Sequence, residues 1–369
     1  MNQLFRWDQT GLFLLALAAG ILPFAVPEVC AAALREGLTL CSGPLLLSLF
    51  PFLVVSRLLI QCPESDLLAL PFRLAAWGIG IRTPCAARVL CIGFLGGFAP
   101  AASAAAQAVR TGQLTAEEAD ALLPACICSG PSFVVLTVGQ SLLGSAELGV
   151  LLFASQITAN YLTAALLNRF AGVRSVKPES AAPASPAPPR LDEILADAAI
   201  TYCKLCGFIL FFRMLAAGAG ALLPAGVGTL CSILLEVCSG CDLASRTGRW
   251  GSLLCCAALS VQGLSVLLQV RTICPPEMTL RPLYRARMLH LPLSLALFYL
   301  LLPGGEADVF STLPARVLLM RRVPPDCALL VFAVCCMAAC TLRSGIRQVE
   351  QKQMARNAGG CCINSKTLL

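Results

Sequence analysis

Apolar runs of about 20 residues, the length that crosses a bilayer core as a helix, recur along the whole chain. The first, 11–28, reads as a retained membrane helix, although Arg6 before it and the small residues 31–33 after it share the outline of a secretory signal. A second covers 38–62, with Gly43-Pro44 near its start and Pro51 inside. A proline removes a helical hydrogen bond, so a kink or break is expected there. Residues 67–81 are apolar but short and carry Arg73, which suits a position along the interface with Trp77 at headgroup level. Further apolar spans follow at 85–109, 146–168, 198–223, 226–242, 250–270, 286–303 and 326–342.

The pattern is least regular between Leu95 and Gly139. Gly93-x-x-x-Gly97 permits close backbone approach, and residues 101–108 continue as a thin, alanine-rich face until Arg110-Thr111-Gly112 stops it. Thr115 and Glu118 then form a capping box. Ala119, Leu122, Leu123, Cys126 and Ile127 fall on one helical stripe, with Pro124 as a candidate kink. Ser129-Gly130-Pro131-Ser132 should end that helix, because proline disfavours helical geometry in the residue before it. A short apolar segment, 132–143, resumes. Non-helical backbone at membrane depth survives only inside protein or beside a watery cavity, so a segment that turns back around a polar cavity is expected here.

Residues 171–190 form a Pro/Ala/Ser-rich linker. It separates a first membrane half, 1–170, from a second, 191–342, and a polar basic tail follows at 343–369. Two halves of similar length suggest an internal repeat. Gly96-Gly97 pairs with Ser239-Gly240, and Gly130-Pro131-Ser132-Phe133 with Gly263-Leu264-Ser265-Val266. The expected fold is all-α: a polytopic transmembrane helical protein with re-entrant hairpins and an inverted repeat.

Composition agrees: 57% of residues are hydrophobic, 13% charged, and mean hydropathy is +0.79. A soluble domain carries about 25% charged residues. The net charge of +7 sits mostly in connectors and the tail, where it sets orientation and meets lipid headgroups. No contiguous basic face with aromatics appears, so no nucleic-acid partner is expected. The 21 cysteines lie mostly in apolar runs such as Cys255-Cys256 and Cys335-Cys336, as small hydrophobes do. Cys203-x-x-Cys206 and Cys238-x-x-Cys241 fit no zinc spacing with the sole histidine, His290, which reads as a packed, hydrogen-bonded imidazole. No enzyme motif stands in a supporting context. Asp192, Glu193 and Asp197 read as a solvated helix face. No enzymatic activity, cofactor or bound metal is expected; a coupling proton or cation is compatible with the pattern.

The candidate chemistry is that of broken helices. Half-helix N-termini meeting near the midplane present free amides, which suit an anion and above all a carboxylate. Ser129, Ser132, Gln262, Ser265 and Gln269 would add neutral hydrogen bonds. Gly97, Gly130, Pro131, Phe133, Gly240 and Gly263 complete the candidate substrate-binding set. Small polar residues also simply join helices, and that reading stands beside this one. Glu236, in TLCSILLEVCSG, is an intramembrane carboxylate that could hold a coupling cation, carry a proton or pair with Lys204 or Arg213.

Several of these elements together carry a resemblance. They are Gly97-Phe98, Arg110 to Gly112, Leu114-Thr115 with Glu117-Glu118-Ala119, Leu122-Leu123, Ser129 to Phe133 and Gly139. The second half adds Leu235-Glu236 with Gly240, Gly263-Leu264-Ser265, Gln269 and the Arg287–His290 segment. On these residues, over most of 40–303, the chain resembles the sporulation integral membrane protein YlbJ family (stage V sporulation protein V), of the nucleoside-recognition Gate domain superfamily. The resemblance implies a fold like that of concentrative nucleoside transporters. It also implies transport of dipicolinate, a planar dicarboxylate, across the outer forespore membrane during endospore formation. The chain departs from the family at Ala99-Pro100-Ala101-Ala102-Ser103, where family members show Pro, any residue, Gly, Ala and Lys. The expected function is a transporter or facilitator for a small carboxylated solute in the bacterial cell membrane, a homo-oligomer being compatible. A nucleoside or other small-solute carrier, and a non-transporting sporulation scaffold, are the alternatives.

Overall fold

The computed structural model describes residues 9–61, 65–171 and 191–302. Among them every regular element is a helix and no strand is present. The linker from 172 to 190, the apolar span 326–342 and the tail 343–369 lie outside the described residues.

The first half comprises α1 (Gln9–Ala25), α2 (Pro27–Ser42), α3 (Pro44–Gln61), α4 (Ser65–Leu68), α5 (Leu70–Gly78), α6 (Pro84–Gly96), α7 (Phe98–Arg110) and α8 (Ala116–Cys126). A π-helix, Ser132–Leu142, and α9 (Ala146–Ala171) complete it. The second half comprises α10 (Leu191–Leu222), α11 (Ala225–Leu235), α12 (Val237–Ser245), α13 (Gly251–Val261), α14 (Gly263–Ile273) and α15 (Arg281–Leu301), with a 3-10 turn at Gly248–Trp250.

Four helical stretches are long and apolar enough to cross a membrane: Pro27–Ile60, Ala146–Ala171, Leu191–Leu222 and Gly248–Ile273. This is compatible with an integral membrane protein. The outer surface agrees, since Phe24, Phe170, Met288 and Leu300 are each more than three-quarters exposed. Large apolar side chains that face outward this fully need a partner or a lipid solvent.

Local signals explain most helix boundaries. Thr115 Oγ1 accepts the Glu118 amide at 3.1 Å, and Glu118 Oε2 accepts the Thr115 amide at 3.2 Å, completing the capping box of α8. Pro51 does not interrupt α3. The break falls instead at Gly43, and Pro44 opens α3 at a position where no amide donor is needed. α8 ends at Cys126, before rather than at Gly130-Pro131, and the Ile127 carbonyl, whose helical partner would be the N–H that Pro131 lacks, accepts from Asn160 and Arg287 instead.

Small residues set the helix crossings, a kind of packing common among membrane helices. A Cβ on Gly139 of the π-helix would stand 2.4 Å from the Gly149 Cα of α9. A Cβ on Gly37 of α2 would stand 2.9 Å from Leu210 of α10, where Arg213 also pairs with Glu36 at 2.7 Å. The Tyr202 hydroxyl donates to the Cys41 carbonyl between the same two helices. α9 and α15 pack on each other and together back α8 and α13.

Asp120, 6% exposed in α8, fixes the start of α15. Its carboxylate accepts the Thr279 amide at 2.8 Å, the Thr279 hydroxyl at 2.6 Å and the Leu280 amide at 3.1 Å, while Leu280 adopts a left-handed φ of 57°. Each hydrogen bond to a charged group is worth about 1.5–3 kcal/mol. Asp120→Ala should therefore lower the thermal midpoint in detergent sharply, by a loss of roughly 3 kcal/mol or more. Asp120→Asn, which keeps one acceptor, should fall between that variant and the parent.

Candidate functional site

Four helix interruptions converge in the interior. Two of them are reversals. At Gly97 (φ 80°) the chain leaves α6 and enters α7, and the two helices lie against each other: a Cβ on Gly93 would stand 3.2 Å from the Ala101 Cβ. At Glu236, which is extended (φ −150°, ψ 126°), α11 passes into α12, and a Cβ on Gly240 would stand 2.8 Å from the Ile233 Cα. The other two are gaps within a span. One is 127–131, between α8 and the π-helix; the other is Gln262, left-handed at φ 66°, between α13 and α14.

Each reversal touches a gap. A Cβ on Gly97 would stand 2.7 Å from the Gly130 nitrogen. One on Gly263 would stand 3.0 Å from the Glu236 nitrogen and from the Leu235 carbonyl. The two gaps meet through Gln262, whose Nε2 donates to Ser129 Oγ at 3.4 Å. These are backbone-to-backbone contacts, so glycine is required at 97 and 263 by space as well as by φ.

Between them lies a cavity of about 60 Å³, lined among others by Phe98, Ser129, Ser132, Phe133, Glu236 and Gln269. A cavity that accepts benzene measures about 150 Å³, so this one has room for small groups and admits a ring only if the helices part. α7, the π-helix and α14 begin without a side-chain cap. Each such terminus behaves as roughly half a positive charge. α12 differs. Glu236, 2% exposed, accepts the Cys238 amide at 2.9 Å and the Ser239 amide at 2.7 Å, so its carboxylate caps its own helix. Residues of all three uncapped helices (Phe98, Ser132, Phe133, Val266 and Gln269) line the same cavity as this carboxylate.

Several sequence expectations are corrected here. Glu236 does not pair with Arg213, which is engaged by Glu36, and Lys204 lines a different pocket; the α12 amides satisfy the carboxylate instead. The second-half reversal falls at Glu236, three residues before the Ser239-Gly240 pair. Ser129, Gly130, Ser132, Phe133, Glu236 and Gln269 line the cavity together. Gly97, Pro131, Gly240, Gln262, Gly263 and Ser265 lie outside its lining. Gly240 seats α12 on α11, Pro131 precedes the π-helix, and Ser265 Oγ accepts Gln269 Nε2 at 2.9 Å. The Oε1 atoms of Gln262 and Gln269, both buried, have no hydrogen-bond partner.

A buried polar layer lies behind the gaps. Arg287 of α15, 8% exposed, donates to the Ile127 carbonyl at 2.5 Å and to the Ser260 carbonyl at 3.3 Å. No carboxylate among the described residues lies within ion-pair distance of it. Ile127 follows α8 and Ser260 lies in the last turn of α13, so one guanidinium serves the negative ends of both interrupted spans. Asn160 adds a bond to Ile127 O at 3.3 Å. Gln156 binds Ser260 Oγ at 2.9 Å, Ser260 shares a hydrogen with Ser294, and His290 Nε2 meets the Gln156 carbonyl at 3.2 Å. The sequence does carry a trace of this layer: Gln156, Asn160 and Thr163 recur at helical spacing along one face of apolar α9, as do Arg287, His290 and Ser294 along α15.

Comparison of the chain with protein-family models, with curated proteins and with solved structures returns no match in any of the three.

Proposed function

We propose that this chain is a membrane carrier or facilitator for a small carboxylated solute, bound where the four interrupted helices meet. The observation that carries this reading is the shared cavity itself, with Ser129, Gly130, Ser132, Phe133, Glu236 and Gln269 drawn from both halves onto one space. Interrupted spans are costly in a bilayer and persist where they line a solute path. Three uncapped helix starts supply positive potential for a carboxylate. The paired reversals and gaps support reading α6–α7 and α11–α12 as re-entrant hairpins of an inverted repeat, related to concentrative nucleoside transporters. The sequence resemblance to the YlbJ family supports dipicolinate as the solute and the outer forespore membrane as the site of action.

A second reading, a hydroxylated neutral solute such as a nucleoside, is favoured by one observation. Glu236 and the partnerless Oε1 of Gln269, both in the cavity lining, are acceptors. Uptake of labelled dipicolinate and labelled nucleoside into proteoliposomes separates the readings through Glu236→Gln. For a carboxylate, removing a nearby negative charge should strengthen apparent affinity by about tenfold, since one charge several ångströms away is worth about 1–2 kcal/mol at intermediate dielectric. For a hydroxylated solute, losing a charged acceptor should weaken affinity by a similar factor. Vesicles that take up neither above empty controls would remove the carrier reading and leave a non-transporting scaffold.

A further inference from the structure

A second cavity, of about 150 Å³, lies beside the first and has a different chemistry. Arg57, Arg110 and Lys204 line it with Asp197, so three cations face one carboxylate and the net charge is +2. Ser103, Thr201 and Thr272 add hydroxyls, while Ile200, Leu205 and Phe208 supply an apolar wall. Arg57 is 8% exposed, bound to Asp197 at 2.5 Å and to the Thr201 hydroxyl at 3.5 Å, and its Nε has no partner. Arg110 and Lys204 have no carboxylate within ion-pair distance among the described residues.

Placement connects this pocket to the central cavity. Gln269 lines both. Ser103 to Arg110 lie on α7 and Gln269 to Ile273 on α14, the two half-helices that lead away from Gly97 and Gln262. At 1.5 Å per residue, the pocket lies roughly 10–20 Å along those helices from the interruptions.

We infer that this pocket is a binding site for a small dianion carrying one planar ring, a loading position from which the solute reaches the central cavity. Its volume matches that of a cavity that accepts benzene, its charge is equal and opposite to that of a ring dicarboxylate, and its apolar wall suits a ring face. The inference rests on the carrier reading for its place on a path, but not for its binding chemistry.

The test is direct binding, with pyridine-2,6-dicarboxylate as the probe and benzoate as the monoanion control. The full chain is purified into nanodiscs of zwitterionic lipid and titrated by calorimetry. Wild type should bind the dicarboxylate at least tenfold more tightly than benzoate. The double variant Arg110→Gln/Lys204→Gln, which leaves the Arg57–Asp197 pair intact, should lose at least tenfold in affinity with an unchanged melting temperature. Equal affinity of the variant and the parent, or no binding by the parent, would overturn the site. Loss of binding in phosphatidylglycerol discs alone would assign the pocket to a lipid headgroup and likewise overturn it. Charge-dependent binding without uptake in proteoliposomes would remove the carrier reading and leave the site standing. Uptake that survives the double variant with unchanged affinity would do the reverse.

Discussion

Arg287→Ala is expected to leave little correctly folded protein in detergent. The substitution removes two charge-assisted hydrogen bonds, to Ile127 O and Ser260 O, from a residue only 8% exposed. Each is worth about 1.5–3 kcal/mol, and the Ser260 carbonyl loses its distant donor in the interior. The combined loss, roughly 3–6 kcal/mol, is comparable with the whole stability of many domains. Asn160 still reaches Ile127 O, so the gap after α8 should be the less damaged of the two. Arg287→Lys should rescue in part, because a single ammonium cannot present the guanidinium fork to two carbonyls at once. The monodisperse fraction on size-exclusion chromatography reads the first effect and the melting temperature the second. An alanine variant as stable as the parent would mean that water satisfies both carbonyls.

The second large effect is expected at Gly97, with Gly112 as its control. Both have positive φ, 80° and 69°. Gly97 combines this with ψ −163°, a region that residues with a Cβ essentially do not visit. A Cβ there would also stand 2.7 Å from the Gly130 nitrogen, whereas nothing lies within 4 Å of one on Gly112. Gly112→Ala should cost about 1 kcal/mol, the price of a left-handed alanine alone. Gly97→Ala adds a backbone collision that no rotamer change relieves, and should cost roughly 3 kcal/mol or more. Uptake should fall with it, since the contact it breaks is the one between the first reversal and the first gap. Similar melting temperatures for the two variants would show that the close approach carries no weight.

The comparison between these glycines indicates what was legible in the sequence. Interruptions at Gly130-Pro131 and near Gly263 could be read because glycine and proline mark departures from helical geometry locally. The capping box of Thr115 and Glu118 could be read for the same reason: all its partners lie within three residues. The reversal at Gly97 could not, since 85–109 reads as one apolar span with a close-packing glycine pair inside it. The Glu236 turn was harder. A buried glutamate looks like chemistry, and N-caps are ordinarily the shorter Ser, Thr, Asp or Asn, so its capping role gave no pattern. Asp120 escaped more completely, and so did the partners of Arg287, although that residue shares a polar stripe of α15 with His290 and Ser294. Their partners Leu280 and Ile127 lie 160 residues away, and no local spacing reports such a contact. Of the two proline sites in 38–62, the break falls at Gly43-Pro44, and α3 runs on through Pro51 with one donor missing.

Those 160-residue bonds bear on how the chain can be made. Asp120 and Ile127 are made early in synthesis, yet their partners at Leu280 and Arg287 emerge only with the last described helix. Until then the Asp120 carboxylate lacks its Thr279 and Leu280 donors, and the Ile127 carbonyl has Asn160 of the first half alone. A polypeptide stopped before Thr279 lacks every one of these partners. Severed at the linker and synthesised as two pieces, the halves should persist in the cell together and be degraded apart.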